Sequence, residues 1–358
     1  MSAADRRYLG EIVPVKAAHR FATERLETFL SDTIRGFTGP ITLRQFESGQ
    51  SNLTYLVTTP GRTLVLRRKP PGVLLKSAHA VDREFRVMSK LADLGFPVPQ
   101  PLVLCEDDSV VGTMFYVMTH VPGRVFLDCA MPDLSREERT IVFDSVNATL
   151  ARLNSLDYVA MGLADFGRPG NYFARQIARW SQQYAASRTE DIPQMEKLSA
   201  WLPTAVPGED LARLIHGDFS FHNVIIHPTE PRVAAVIDWE LSTIGHPFGD
   251  LMYHMMEWYR PAGTDLRGTL AGRDLRALGI PSFEEYLAAY CERAALAPPA
   301  NVSFYRAYNL FRAAAIIQGI AGRLRDGTGV SDNAAQLSRQ VRPLAQAAWL
   351  EAQLAGAG

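Results

Sequence analysis

Cysteine is scarce in this chain of 358 residues, standing only at positions 105, 129 and 291. Three thiols so widely spaced build neither a disulfide framework nor a zinc knuckle, and they suit a reducing compartment. Lysine is nearly as rare, found only at 16, 69, 76, 90 and 197, so arginine carries most of the positive charge. Neither sign of charge is in excess: 37 basic residues against 38 acidic ones leave a formal net charge of −1. That balance supplies no global electrostatic reason to bind nucleic acid or an anionic membrane. No run approaches the roughly 18 apolar residues that span a bilayer. The opening MSAADRRYLGEIVPVK puts charges where a secretory leader needs an apolar core. Internal repeats and low-complexity tracts are missing as well. A soluble, cytoplasmic protein with no nucleic-acid and no membrane partner is expected, and the oligomeric state is left open.

What is present describes an ordinary globular chain, with 47% hydrophobic and 21% charged residues. Its length exceeds the usual single domain, so two lobes are expected. We divide it into a polar lead-in over 1–24, a first lobe over 25–120 and a second lobe over 121–358. An amphipathic helix runs to about residue 34, after which the apolar period changes to that of strands. Residues 41–47, 53–59 and 63–68 read as three strands, the first two joined by Ser48-Gly49-Gln50-Ser51-Asn52. That short polar tip leaves backbone amides and hydroxyls able to approach phosphate oxygens. A helix over 80–94 carries Glu84 near its start, and 102–105 and 113–118 supply two more strands. Thr119-His120-Val121-Pro122-Gly123 then makes a linker. Beyond it the spacing is helical over 136–153, 172–187, 194–202, 251–258, 282–294, 304–324 and 334–354. The expected class is α+β: a small mixed lobe of five strands with one inserted helix, then a larger, mainly helical lobe.

The chemistry concentrates in residues 214–240, LIHGDFSFHNVIIHPTEPRVAAVIDWE. His216, Asp218 and Asn223 stand in a polar loop between apolar runs, and Asp238 ends a short strand. Two carboxylates and an amide are hard oxygen donors, able to hold a divalent cation and to orient a hydroxyl group. A strand after Asn223, a turn at His227-Pro228-Thr229-Glu230-Pro231 and a returning strand over 233–237 bring Asn223 and Asp238 to one end of a hairpin. A zinc site from His216, Asp218 and His222 lacks the paired histidines of a helical zinc motif.

The form H-x-D-x-x-x-x-N followed by a strand-end aspartate resembles the catalytic and metal-binding loops of protein-kinase-like phosphotransferases, in the variant of the aminoglycoside phosphotransferase and choline kinase family. Gly245-His246-Pro247-Phe248-Gly249-Asp250-Leu251 resembles that family's G-x-P-x-x-D-L segment. The runs GQSNLTYLV, LRRKPPG and AVDREFRVM look most like the group that also occurs fused to acyl-CoA dehydrogenase domains. The resemblance implies a protein-kinase-like two-lobe fold, ATP as phosphoryl donor and Mg²⁺ as metal. It makes Asp218 the residue that orients the substrate hydroxyl, Asn223 and Asp238 the metal ligands, and His216 and Asp250 the support of the loop. Gly49, Ser51, Asn52, Arg67, Glu84, Met118, Thr119 and Val121 become nucleotide-binding positions. Arg67 stands where a lysine is usual, paired with Glu84, while Met118 lies behind the adenine and Thr119 and Val121 lie along it.

The resemblance implies a small-molecule acceptor bearing a hydroxyl group. The fused group points to a hydroxyacyl-CoA, and from residue 251 onward nine Asp or Glu against eleven Arg disfavour a polycation. Arg306, Arg312, Arg323 and Arg325 are read either as a solvated helix face or as partners for coenzyme A phosphates. Trp180, Tyr184, Trp258 and Tyr259 keep open a cage for a quaternary amine, as in a choline or ethanolamine kinase. An aminoglycoside-type kinase stays among the alternatives. Arg67 and the single loop glycine also keep open a catalytically weak, pseudokinase-like nucleotide-binding module.

Overall fold

The computed structural model describes residues 12–47, 52–70, 80–264, 268–326 and 334–358. Gly49 and Ser51 of the expected phosphate loop lie outside the described residues. The chain falls into two compact units: the described residues up to Phe126 together with His222–Ser242, and Leu127–Phe221 together with Thr243–Gly358.

The first unit is built on a six-stranded antiparallel sheet in the order β1-β2-β3-β4-β6-β5. Its strands are β1 (Ile12–Pro14), β2 (Thr42–Phe46), β3 (Leu53–Thr58), β4 (Thr63–Arg68), β5 (Pro101–Cys105) and β6 (Phe115–Thr119). Successive strand side chains point to opposite faces, and the sequence uses both. Tyr55, Val57, Leu64, Leu66, Phe115 and Val117 form one buried cluster with Leu26 and Leu30 of helix Thr23–Thr33. The alternate residues of β4 and β6 include Arg67 and Tyr116, which sit opposite one another in register. Helix Val81–Asp93 packs there, with Phe85 and Tyr116 rings 6.0 Å apart.

Two features depart from the sequence reading of this unit. The segment 1–24, read as a polar lead-in, supplies a sixth strand: Ile12, Val13 and Pro14 pair with Phe46, Gln45 and Arg44. Three residues are too few to show a period, and proline is tolerated at a sheet edge where its missing N–H is not needed. A short helix, Asp108–Val111, which the sequence reading did not include, also precedes β6.

The remaining strands are β7 (Arg213–Ile215), β8 (Val224–Ile226), β9 (Val233–Val236) and β10 (Thr243–Gly245). β8 and β9 form a hairpin, and β7 pairs antiparallel with β10, a strand the sequence reading missed. The division at 121 gave the β8–β9 hairpin to the second lobe, whereas it groups with the first unit. The chain after the linker explains this, because Arg124 exchanges both backbone hydrogen bonds with Ile226, at 2.7 and 2.8 Å. The approach requires glycine at 123: a Cβ there would lie 2.5 Å from the Ile226 carbonyl oxygen.

The second unit is mainly helical. Helices Tyr172–Ser187 and Val341–Leu354 pack on Val302–Arg325, whose Phe304, Tyr308, Phe311 and Ala315 are buried, and Arg136–Ser155 packs on Phe283–Ala294. Ser135 and Ser282 each complete a capping box, with Glu138 and Glu285. The helix read over 251–258 begins earlier, at Pro247, whose fixed φ suits a first turn, and it breaks at Met255. The helix read over 334–354 is two, Ala334–Ser338 and Val341–Leu354. Pro343 in the first turn of the second has no N–H to continue a helix from the first.

Candidate active site

In the first unit the β8–β9 hairpin delivers two of the expected metal ligands together. The Ile237 N–H donates to the Asn223 carbonyl at 2.9 Å, so Asn223 and Asp238 flank the last rung at one end of the hairpin. Asp238 takes a left-handed conformation with φ 68° and ψ 62°, which turns the chain out of β9. An aspartate tolerates that region better than most residues, at a cost of about 1 kcal/mol. Trp239 holds the turn: its ring is fully buried against Phe96, and its indole N–H donates to the Val236 carbonyl at 3.0 Å.

Arg67 joins this end of the hairpin to the sheet. Its Nη2 lies 2.9 Å from Asp238 Oδ1 and 3.3 Å from Glu84 Oε1. Its Nε is 3.2 Å from Glu84 Oε2, within ion-pair range but out of line for a hydrogen bond. Glu84 is fully buried and also accepts from the Tyr116 hydroxyl at 3.0 Å and from Asn52 Nδ2 at 2.8 Å. Burial pushes the Glu84 carboxyl up, while the Arg67 guanidinium and the Tyr116 hydroxyl pull it back. Arg67 stays protonated, since two carboxylates outweigh its burial. Asn52, read as a phosphate-loop residue, turns its side chain inward, to Glu84 and to Glu240 Oε2 at 3.3 Å. Tyr116 and Glu240 were missed; the register opposite Arg67 and the position two beyond Asp238 were the available signals.

Met118 is buried on β6, two residues beyond Tyr116. Thr119 is tied to Gln100 in both directions, donating its N–H at 2.9 Å and accepting on Oγ1 at 2.9 Å. Val121 packs with Val125, Ile225, Ala235 and Ile237 in a small apolar cluster. Its N–H makes no backbone hydrogen bond among the described residues.

The second unit holds the His216-Gly217-Asp218 loop, where β7 ends. Gly217 has φ 83°, a conformation that glycine adopts without strain. Asp250, in the first turn of helix Pro247–His254, accepts from the His216 N–H at 2.6 Å and the Gly217 N–H at 2.7 Å. Burial raises the Asp250 carboxyl, and those two donors together with the nearby Arg312 oppose the rise. His216 is fully buried, and its Nδ1 accepts from the Asp218 N–H at 3.2 Å, so its ring orders the loop. Burial raises the Tyr253 hydroxyl, and the Asp218 carboxylate adds to the rise.

Neither arginine reading survives intact for Arg306 and Arg312. Arg312 is buried and donates to the Gly217 carbonyl at 2.7 Å, while Arg306 pairs with Glu351 at 3.3 Å over the Phe283 ring. Only Arg323 and Arg325 remain on an exposed face. The four aromatics do not converge as a cage. Trp258 stacks on Phe143 and Tyr286 and donates to the Pro281 carbonyl, Tyr259 donates to the Met252 carbonyl, and Trp180 lies against Arg312.

A sheet-based unit with a cation–glutamate pair across strand and helix, joined to an aspartate-bearing hairpin, defines the protein-kinase-like class of phosphotransferases. Residues 42–288 match the model of the phosphotransferase enzyme family, and the chain belongs to that family. The fold is accordingly the α+β, two-lobe kinase-like one. Over 337 residues the chain is 42% identical to acyl-CoA dehydrogenase family member 10 of Mus musculus, covering 94% of this chain and 32% of that protein. It therefore spans only about a third of that relative's length. A crystal structure from Ralstonia eutropha, provisionally named an aminoglycoside phosphotransferase, is 46% identical with a TM-score of 0.86, covering 94% of this chain and 99% of that one. A thermostable mutant of aminoglycoside phosphotransferase APH(4)-Ia, in ternary complex with ADP and hygromycin B, shares the fold at 17% identity. Its TM-score is 0.59, with 93% of this chain and 99% of that one covered. No helix of the described residues is long and apolar enough to cross a membrane.

Proposed function

We propose that this phosphotransferase transfers the γ-phosphoryl group of ATP, with Mg²⁺, to the hydroxyl group of a hydroxyacyl-CoA. The observation that carries the reading is the Arg67 bridge, which fixes the Asp238 carboxylate at the end of the hairpin that also bears Asn223. Those two residues fit a magnesium ion by donor chemistry. Both are hard oxygen donors, and Asp238 Oδ2 accepts no hydrogen bond among the described residues. Magnesium commonly takes one or two protein ligands and completes its shell with phosphate and water. Asn223 and Asp238 would hold it, and once bound it supplies positive charge to offset that of the phosphates.

The other roles belong to the chain itself. Asp218 accepts the proton of the acceptor hydroxyl and aims its oxygen; His216, Asp250 and Tyr253 keep that carboxylate in place. Arg67 holds Asp238 and offers a planar guanidinium to phosphate oxygens. Val121 presents a backbone N–H to the base, with Met118 behind it. Phosphoryl transfer asks little covalent help of a protein, so positioning and charge account for most of the rate. The complex of the fold relative with ADP supports an adenine nucleotide as donor. The acyl-CoA dehydrogenase name of the longer relative supports an acyl-CoA as acceptor.

The test is Mg²⁺-dependent ATP turnover with a panel of hydroxyacyl-CoAs, choline and an aminoglycoside. A hydroxyacyl-CoA is expected to give the highest kcat/KM, and Asp238→Ala is expected to lower it at least a hundredfold. Preference for choline or the aminoglycoside contradicts the acceptor assignment, and unchanged turnover in Asp238→Ala contradicts the site.

A further inference from the structure

We propose that Arg312 is a positioning residue that sets the charge class of the acceptor, disfavouring cationic substrates at Asp218. This inference rests on the reading of Asp218 as the group that meets the acceptor hydroxyl. Arg312 comes from the middle of helix Val302–Arg325 and reaches the loop from beneath. Its Nη2 donates to the Gly217 carbonyl at 2.7 Å, one residue before Asp218. The guanidinium carbon lies 4.5 Å from the centroid of the Tyr253 ring and 5.7 Å from that of Trp180. Tyr253 in turn feels the charge of the Asp218 carboxylate. Arg312 is thus fixed between the Gly217 carbonyl and the Tyr253 ring, next to Asp218 in the chain.

What sets Arg312 apart is its lack of a direct counter-charge. It is 94% removed from solvent by its 6% exposure, yet among the described residues it forms no salt bridge, and its Nε has no hydrogen-bond partner. The donors and rings around it, Trp180, Tyr253, Tyr308 and Tyr172, are neutral, and burial raises each of the three tyrosines above its ordinary value. Two carboxylates feel its charge, Asp218 and Asp250. Asp250 accepts from the His216 and Gly217 N–H groups, and Asp218 is the carboxylate that the proposed function places against the acceptor.

A guanidinium does not lose its proton in a protein, and a buried one is poorly screened by salt. Its field therefore opposes the attraction that the two carboxylates exert on a cation. An ammonium group carried near the reacting hydroxyl meets a fixed like charge, whereas the phosphates of a coenzyme A ester or a neutral acceptor do not. Reading the arginine as a solvated face hid this role, because in the sequence Arg312 looks like Arg306, Arg323 and Arg325.

The experiment compares wild type with Arg312→Gln and Arg312→Lys, each first shown to fold by its melting curve. Steady-state kcat and KM are measured with ATP and Mg²⁺ for a hydroxyacyl-CoA, and choline is measured as substrate or as competitive inhibitor. Arg312→Gln is expected to shift the ratio of hydroxyacyl-CoA to choline affinity toward choline by about tenfold or more, with the change in KM or Ki. The KM for ATP should stay within about twofold, and Arg312→Lys should keep most of the wild-type ratio. A ratio unchanged in Arg312→Gln, or lost equally in Arg312→Lys, overturns the proposal; so does a fall in kcat alone for both acceptors. Where Arg312→Gln does not fold, Arg312→Met takes its place under the same criteria. Absence of any transfer by wild type, by contrast, overturns the underlying reading of Asp218.

Discussion

Arg67 occupies a position where its fork geometry matters. One guanidinium reaches a carboxylate on a helix and another at the end of a hairpin, at 3.3 and 2.9 Å. A lysine, with a single ammonium, meets such a pair less completely. Glu84 has no solvent to fall back on, so truncating Arg67 leaves a buried carboxylate with only the neutral donors Tyr116 and Asn52. Arg67→Ala is expected to lower unfolding free energy by about 3 kcal/mol and Arg67→Lys by about half of that, read from denaturant midpoints. Equal midpoints for wild type and Arg67→Ala would show the bridge to be immaterial. Arg67 and Glu84 were legible in the sequence through their order along the chain. Tyr116, Glu240 and Arg312 were not, because each acquires its role from strand register or from a distant helix rather than from its neighbours in sequence.

A second residue-scale consequence concerns His254. Burial lowers its imidazole from the ordinary 6.5 to about 3, and its Nε2 lies 2.8 Å from the Tyr286 hydroxyl. A base with a depressed folded pKa is protonated first in the unfolded chain, so acid favours unfolding. Its contribution is complete above pH 6.5 and declines as pH falls from there toward about 3, by about 1.4 kcal/mol per pH unit. His246, lowered to about 4 by burial, adds in the same direction. Stability measured between pH 6 and 5 should fall less steeply for His254→Gln than for wild type, by about 1.4 kcal/mol per unit. Parallel slopes would contradict the burial of a neutral ring.

At the scale of elements, the linker and the hairpin form one piece. Gly123 is the point of closest approach, and its replacement presses a side chain on the Ile226 carbonyl and the Ile225 methyl. Gly123→Val is expected to cost about 2 kcal/mol or more, with faster hydrogen exchange at the Arg124 and Ile226 amides than elsewhere in the sheet. Unaltered exchange at those two amides would mean the bridge is not what joins them. The hairpin itself was readable, since two apolar runs around His227-Pro228 declare it, and so was its consequence for Asn223 and Asp238. Its grouping with the first unit was not readable, because no local pattern announces a two-residue bridge between Arg124 and Ile226. The same holds for β1 and β10, each three residues long and stabilised by a partner strand rather than by its own composition.

At the scale of the whole molecule, a family match over 42–288 and a kinase-like fold agree with a chain whose motifs follow kinase order. The long helices were legible because their apolar period is sustained. The last of them was misread as continuous because apolar spacing carries across residues 339–340 while the helix does not. The relative named for an acyl-CoA dehydrogenase is about three times as long as this chain, and its name is what supports an acyl-CoA acceptor. The central claim is that Asp218 aims an acceptor hydroxyl at ATP. The most direct measurement is product mass: wild type and Asp218→Asn incubated with ATP, Mg²⁺ and a hydroxyacyl-CoA, with the thioester analysed by mass spectrometry. Wild type is predicted to add one phosphoryl group to the acyl hydroxyl, and Asp218→Asn, folded to the same melting point, to do so at least a thousandfold more slowly. Equal phosphorylation by the two proteins would contradict the claim.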